Sequence, residues 1–207
     1  LIVTACEDNG EALCKLPDTV IPRTCTTKPA ARSKDRYRKL IESGRGKVGI
    51  IYPEKCKEEP KISDLREIEY VKRIPQQEGL YGEPQDKVRE MKVWPIMFHS
   101  INPLSQVTRL TPKELCKRME IEEVKKETYS IEARGKIETG EGYLGIYLKV
   151  EVNAERPERY MLLRGGSGEE RVELISDYGW GIENAFKEKW RVTVENECRL
   201  YEMFGLF

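Results

Sequence analysis

The sequence predicts an α+β fold: an antiparallel sheet of hairpins covered by two or three short helices, with a proline-rich, irregular N-terminal half. Three observations predict it. Runs of alternating apolar and polar residues are joined by glycine turns after residue 129. Apolar residues at helical spacing flank those runs. Nine of the 11 prolines precede residue 108, where they remove backbone donors and shorten regular elements.

In chain order, "LIVTAC" (1–6) reads as a first strand, or as the tail of an absent leader that lacks a basic n-region. "SKDRYRKLIESGRG" predicts a short helix: Ser33 caps it, Tyr37, Leu40 and Ile41 share a face, and Gly44 stops it. "KVGIIYP" (47–53) reads as a buried strand ended by Pro53, and "REIEYVKR" (66–73) as another. In "MKVWPIMFHSINP" (91–103), Trp94, Ile96 and Phe98 alternate as in a short edge strand, with Pro95 tolerable only at an edge. That stretch reads as the seam between the two halves. Thr111, Pro112 and Glu114 form a capping box with proline at the first helical position, so a helix opens at 112. "EIEEVKKETY" (120–129) continues that helix or starts a second.

The second half is more regular. Tyr129, Ile131, Ala133 and Ile137 share one face; Leu144, Ile146, Leu148, Val150 and Val152 share another. "TGEG" (139–142) joins them into a hairpin. "RYMLLR" and "ERVELIS" flank "GGSG" (165–168) as a second hairpin. "GIENAFKEKW" (181–190) reads as a helix. "RVTVENECRLYEMF" (191–204) reads as a strand through Val192, Val194, Cys198 and Leu200. The organisation is a proline-rich α/β region over 1–90 and an antiparallel-sheet region over 91–207, or one continuous domain.

The composition narrows function. Thirty-six basic and 36 acidic residues cancel, which argues against a protein held mainly by nucleic-acid phosphates or an anionic membrane. No apolar run approaches the length that spans a bilayer. Six cysteines permit disulfides, but their spacing is irregular and no Cys-x-x-Cys occurs. Mostly free thiols in a cytoplasmic, reducing setting are expected, with a secreted form left open. His99 is the sole histidine, so multi-histidine metal chemistry has no room. A Cys116–His99 hydrolase is conceivable in space, but a histidine among aromatic residues reads first as structural. "SGRGK" (43–47) and "RGGSG" (164–168) read as turns, not phosphate cradles. No catalytic, cofactor or metal residue is assigned. Residues 110–150 resemble the opening of a winged helix, but Glu122, Glu123 and Glu127 on its second helix oppose phosphates. Trp94, Phe98, Tyr143, Tyr147 and Tyr201 are the candidate protein contacts, because aromatic residues bury area at small entropic cost.

The stretches "KVWPIMFHSINPLSQVTRLTPKELCKRM" (92–119) and "GEGYLGIYLKVEV" (140–152) resemble the Bet accessory proteins of foamy viruses. The resemblance implies a non-enzymatic viral accessory factor that binds and neutralises host cytidine deaminases of the APOBEC family, without cofactor. The alternative is a winged-helix nucleic-acid binder using residues 110–150. On either reading the chain is not an enzyme, and a membrane is no partner.

Overall fold

The computed structural model describes residues 1–3, 9–31, 33–75, 94–127 and 129–207. Cys6 and the expected boundary at residue 90 lie outside the described residues, as does the side chain of Trp94.

Two mixed sheets organise the chain. The smaller has the order β1 (Ile2–Val3), β2 (Cys25–Thr27), β3 (Gly49–Ile51) and β11 (Val192–Thr193). Its first three strands are parallel, and β11 closes it antiparallel. Helices α1 (Asn9–Cys14) and α2 (Lys34–Glu42) return the chain between the parallel strands. Such crossovers need a helix, because parallel strands cannot be joined by a tight turn.

The larger sheet contains β4 (Glu54–Cys56), β5 (Leu65–Pro75), β6 (Met119–Lys126), β7 (Ser130–Thr139), β8 (Gly142–Ala154), β9 (Glu158–Gly165) and β10 (Gly168–Ser176). Their order is β4-β10-β9-β5-β8-β7-β6. β5 runs parallel to β8 and antiparallel to β9. Both expected hairpins are present, closing at Thr139–Gly142 and Gly165–Gly168. One face carries Ile68, Ile131, Ala133, Ile137, Leu148, Val150, Met161 and Leu163, all buried. Each fully buried aliphatic side chain contributes roughly 1.5–3 kcal/mol.

That face is covered by a 3-10 helix (Trp94–Ser100), α3 (Ile101–Thr108) and α4 (Pro112–Arg118), with α6 (Val194–Met203) packed on the 3-10 helix and α4. Helix α5 (Tyr178–Phe186) packs on β3 of the smaller sheet. The caps read from the sequence form as expected. Ser33 accepts from the Arg36 amide, and Thr111 with Glu114 completes a capping box.

The sheet is therefore not the purely antiparallel one expected, and the proline-rich half is not irregular. It holds β1, β2 and β3, which have two or three residues each and are too short to stand out by alternation, and the longer β5. Residues 119–126 are strand β6, not a second helix, so the described residues of 110–150 hold no recognition helix and the winged-helix reading falls. Residues 94–100 form a 3-10 helix, not an edge strand. Residues 194–203 are helix α6, not a strand. Its buried stripe is Val194, Glu197, Leu200 and Tyr201. Glu197 breaks that stripe when read as polar, which leaves the alternation more visible than the helix. A Thr193–Asn196 capping box starts it.

Gly49 marks the tightest contact between sheet and helix. A Cβ there would stand 2.0 Å from the Ala185 carbonyl oxygen of α5. Gly49→Ala is expected to lower stability by about 2 kcal/mol or more, read as a lower urea midpoint with an unchanged slope. An unchanged midpoint would show that α5 does not pack this closely.

Candidate active site

The carboxyl ends of parallel strands leave an open edge at which α/β proteins hold ligands. Here β2 and β3 end side by side, followed by Lys28 and Tyr52. Asn9, at the start of α1, fixes the first of these ends. Its Nδ2 donates to the carbonyls of Thr27 (2.9 Å) and Pro29 (3.0 Å), on either side of Lys28.

Behind this edge lies a buried polar cluster in two halves. In the first, Glu54 of β4 is fully buried. It accepts from Tyr70 Oη (2.5 Å) and pairs with Lys72 Nζ (3.0 Å), both from β5. Lys72 Nζ also meets His99 Nδ1 at 3.2 Å. A charged ammonium can only donate, so it sets Nδ1 as acceptor and leaves the ring proton on Nε2. That nitrogen is buried and has no hydrogen-bond partner among the described residues. In the second half, Glu197 of α6 is fully buried. It accepts from Tyr52 Oη (2.5 Å), Tyr37 Oη (2.6 Å) and the Ala30 amide (2.7 Å). The Tyr52 ring meets the His99 ring edge-on at 5.7 Å and joins the halves.

Lys28 lies within electrostatic reach of both carboxylates. Burial first, and then the Lys72 charge, lower its pKa to about 7 against the opposing pull of Glu54 and Glu197. Its side chain is nonetheless partly exposed. Lys72 is likewise lowered, chiefly by burial. Burial raises Glu197 despite its three donors, and it pushes the phenols of Tyr37, Tyr52 and Tyr70 well up. The tyrosines are thus fixed donors. Lys28 has its pKa lowered to about 7, which suits a group that both gives and takes a proton.

Of the expected site residues, Phe98 lies in the core against Tyr201 (5.0 Å) and Phe204 (5.7 Å). Tyr201 is also buried. Tyr143 is 70% exposed on the outer face of the sheet, with Lys136 over its ring. Tyr147 is half-buried on the same face beneath Arg134. The four whose side chains are described therefore do not form one patch. Cys116 is buried, and burial raises its thiol to about 12, far from an activated nucleophile. None of the described cysteines forms a disulfide.

Sequence reasoning missed Lys28, Glu54, Lys72 and Glu197. The signal for Lys72 was available: Ile68, Tyr70 and Lys72 fall on one strand face, placing a lysine at a core position. Two runs match G-x-G-x-x-G in letters, Gly44–Gly49 and Gly140–Gly145. The first leads from α2 into β3 and the second turns from β7 to β8. Neither joins a strand's end to a helix.

No protein-family model and no curated protein matches the chain. Solved structures do match in fold. UDP-N-acetylglucosamine 3-dehydrogenase GnnA from Acidithiobacillus ferrooxidans is 12% identical, with a TM-score of 0.57 over 99% of this chain and 76% of its own. The WlbA (WbpB) dehydrogenase from Thermus thermophilus, solved with NAD and UDP-GlcNAcA, is 12% identical. Its TM-score is 0.58 over 100% of this chain and 70% of its own. The chain has the mixed-sheet fold of these dehydrogenases.

That finding overturns the resemblance to a viral accessory protein. The solved structures that share the fold are dehydrogenases by name, so the expectation of a non-enzymatic viral binding factor finds no support. They act on small molecules, so a host deaminase partner has no support. Among the described residues, no helix is long and apolar enough to cross a membrane.

Glu197 is expected to be the cluster's structural centre. Glu197→Ala leaves two phenols and one amide without an acceptor, at about 1–3 kcal/mol each. A loss of at least about 3 kcal/mol in denaturant unfolding is expected. A loss below 1 kcal/mol would contradict the buried network.

Proposed function

We propose that the chain is an enzyme of oxidoreductase build that moves a proton at a hydroxyl or carbonyl group of a small, sugar-like molecule. Lys28 is the acid–base group. The observation that carries this reading is the placement of Lys28 just past the carboxyl end of a parallel strand, where burial and the neighbouring charges lower its pKa to about 7. The neighbours add the substrate class: one is named for UDP-N-acetylglucosamine, the other was solved with UDP-GlcNAcA.

The division of labour follows from the contacts. Neutral Lys28 takes a proton from the substrate, and the ammonium form returns it. Asn9 holds the backbone on both sides of Lys28. Lys72 and Tyr52 set the His99 ring behind the site. Glu54 and Glu197 offset the two lysine charges. The free thiols fit a cytoplasmic setting.

A nicotinamide dinucleotide needs a glycine-rich turn between a strand's end and a helix, so that backbone amides can reach the pyrophosphate. Neither glycine run of this chain has that context. Gly49, the last glycine of the first run, lies in a strand pressed against Ala185. The described residues do not fit a dinucleotide, and no step is drawn through one.

The test is exchange of solvent deuterium into a UDP-linked keto sugar, next to its carbonyl, followed by NMR. Exchange needs Lys28 without its proton, so the rate is expected to rise as the pH passes upward through about 7. Lys28→Ala should lower it by about 100-fold or more. Lys28→Arg should not restore it, because a guanidinium stays charged. Equal exchange in the unmutated and Lys28→Ala proteins would contradict the assignment.

A further inference from the structure

A second concavity lies away from Lys28, between helices α3, α4 and α5. It is an open concavity of about 320 Å³, within the range of small-molecule sites. Two half-buried indoles, Trp180 and Trp190, line it together with Ser105, Arg109 and Lys187. No carboxylate is among the described lining residues.

Three features mark it as a built site. Ser105 is 2% exposed, and its Oγ has no hydrogen-bond partner. A buried hydroxyl without a partner costs free energy unless something arrives to bond it. Its neighbours on α3 are already engaged: Asn102 donates to the Tyr52 carbonyl, and Gln106 accepts from the Cys56 amide.

Arg109 is the second feature. It ends α3 at φ 58° and ψ 16°, the left-handed conformation that glycine usually supplies at a helix end. An arginine is held there against that preference. Arg109 has no acidic partner among the described residues, whereas Lys187 pairs with Glu183 at 2.6 Å. A strained backbone thus sets an uncommitted guanidinium at the edge of the pocket.

The third feature is the indole pair. Planar rings stack on indole faces, while guanidinium forks bind phosphate oxygens.

We propose that this pocket binds a nucleotide-type ligand, a planar ring stacked on Trp180 or Trp190 with its phosphates on Arg109. Ser105 Oγ bonds the ligand's polar edge. The site shares no lining residue with the Lys28 cluster and does not depend on the proposed activity.

The test is titration of the full chain with ADP, adenosine and inorganic pyrophosphate, read by tryptophan fluorescence. ADP should quench saturably, and adenosine and pyrophosphate should each bind more weakly than ADP. Arg109→Gly keeps the left-handed backbone without strain, so it should fold normally by circular dichroism and bind ADP at least tenfold more weakly. Ser105→Ala should weaken ADP several-fold, and Trp180→Phe should reduce the quench. Lys28→Ala should leave ADP affinity unchanged. The proposal is overturned by absence of saturable quenching, by equal affinity in folded Arg109→Gly, or by loss of ADP binding in Lys28→Ala.

Discussion

One buried carboxylate ties the molecule together. Glu197, on the last helix, reaches α2 through Tyr37, the end of β3 through Tyr52 and the segment after β2 through the Ala30 amide. Three segments that lie 145 to 167 residues before Glu197 thus share one acceptor. A buried charge is tolerated only when paired and fully hydrogen-bonded, so these elements must meet in this arrangement. The same constraint places Lys28 beside two carboxylates and a second lysine. Its pKa follows from the packing that holds the sheets together.

The sequence was legible where structure is local. Ser33, Thr111 and Glu114 cap helices because their side chains reach amides within the same turn. "TGEG" and "GGSG" close hairpins because a tight turn needs little beyond its own residues. The parallel pairing of β5 with β8 was not legible, because it joins segments about 80 residues apart and no turn records it. Helix α6 was missed because Glu197 interrupts its apolar stripe, and the residue that hid the helix belongs to the site.

The site itself follows the same logic. A lysine before a proline, a lysine in a strand and two glutamates among many read as solvated charge in a chain that is 35% charged. Only tertiary contacts separate these four residues from the rest. Lys72 alone left a trace, as a cation in phase with Ile68 and Tyr70. His99 was noticed for its rarity, but its significance lies in Lys72 and Tyr52, neither of which is near it in sequence.

Folding brings Lys28 close to neutrality. The direct measurement is an NMR titration of the Lys28 side chain in the intact protein, with Lys28→Arg to assign the signal. The account predicts a midpoint at about 7. A midpoint at the ordinary lysine value would show that the cluster leaves Lys28 fully charged, and it would contradict the account.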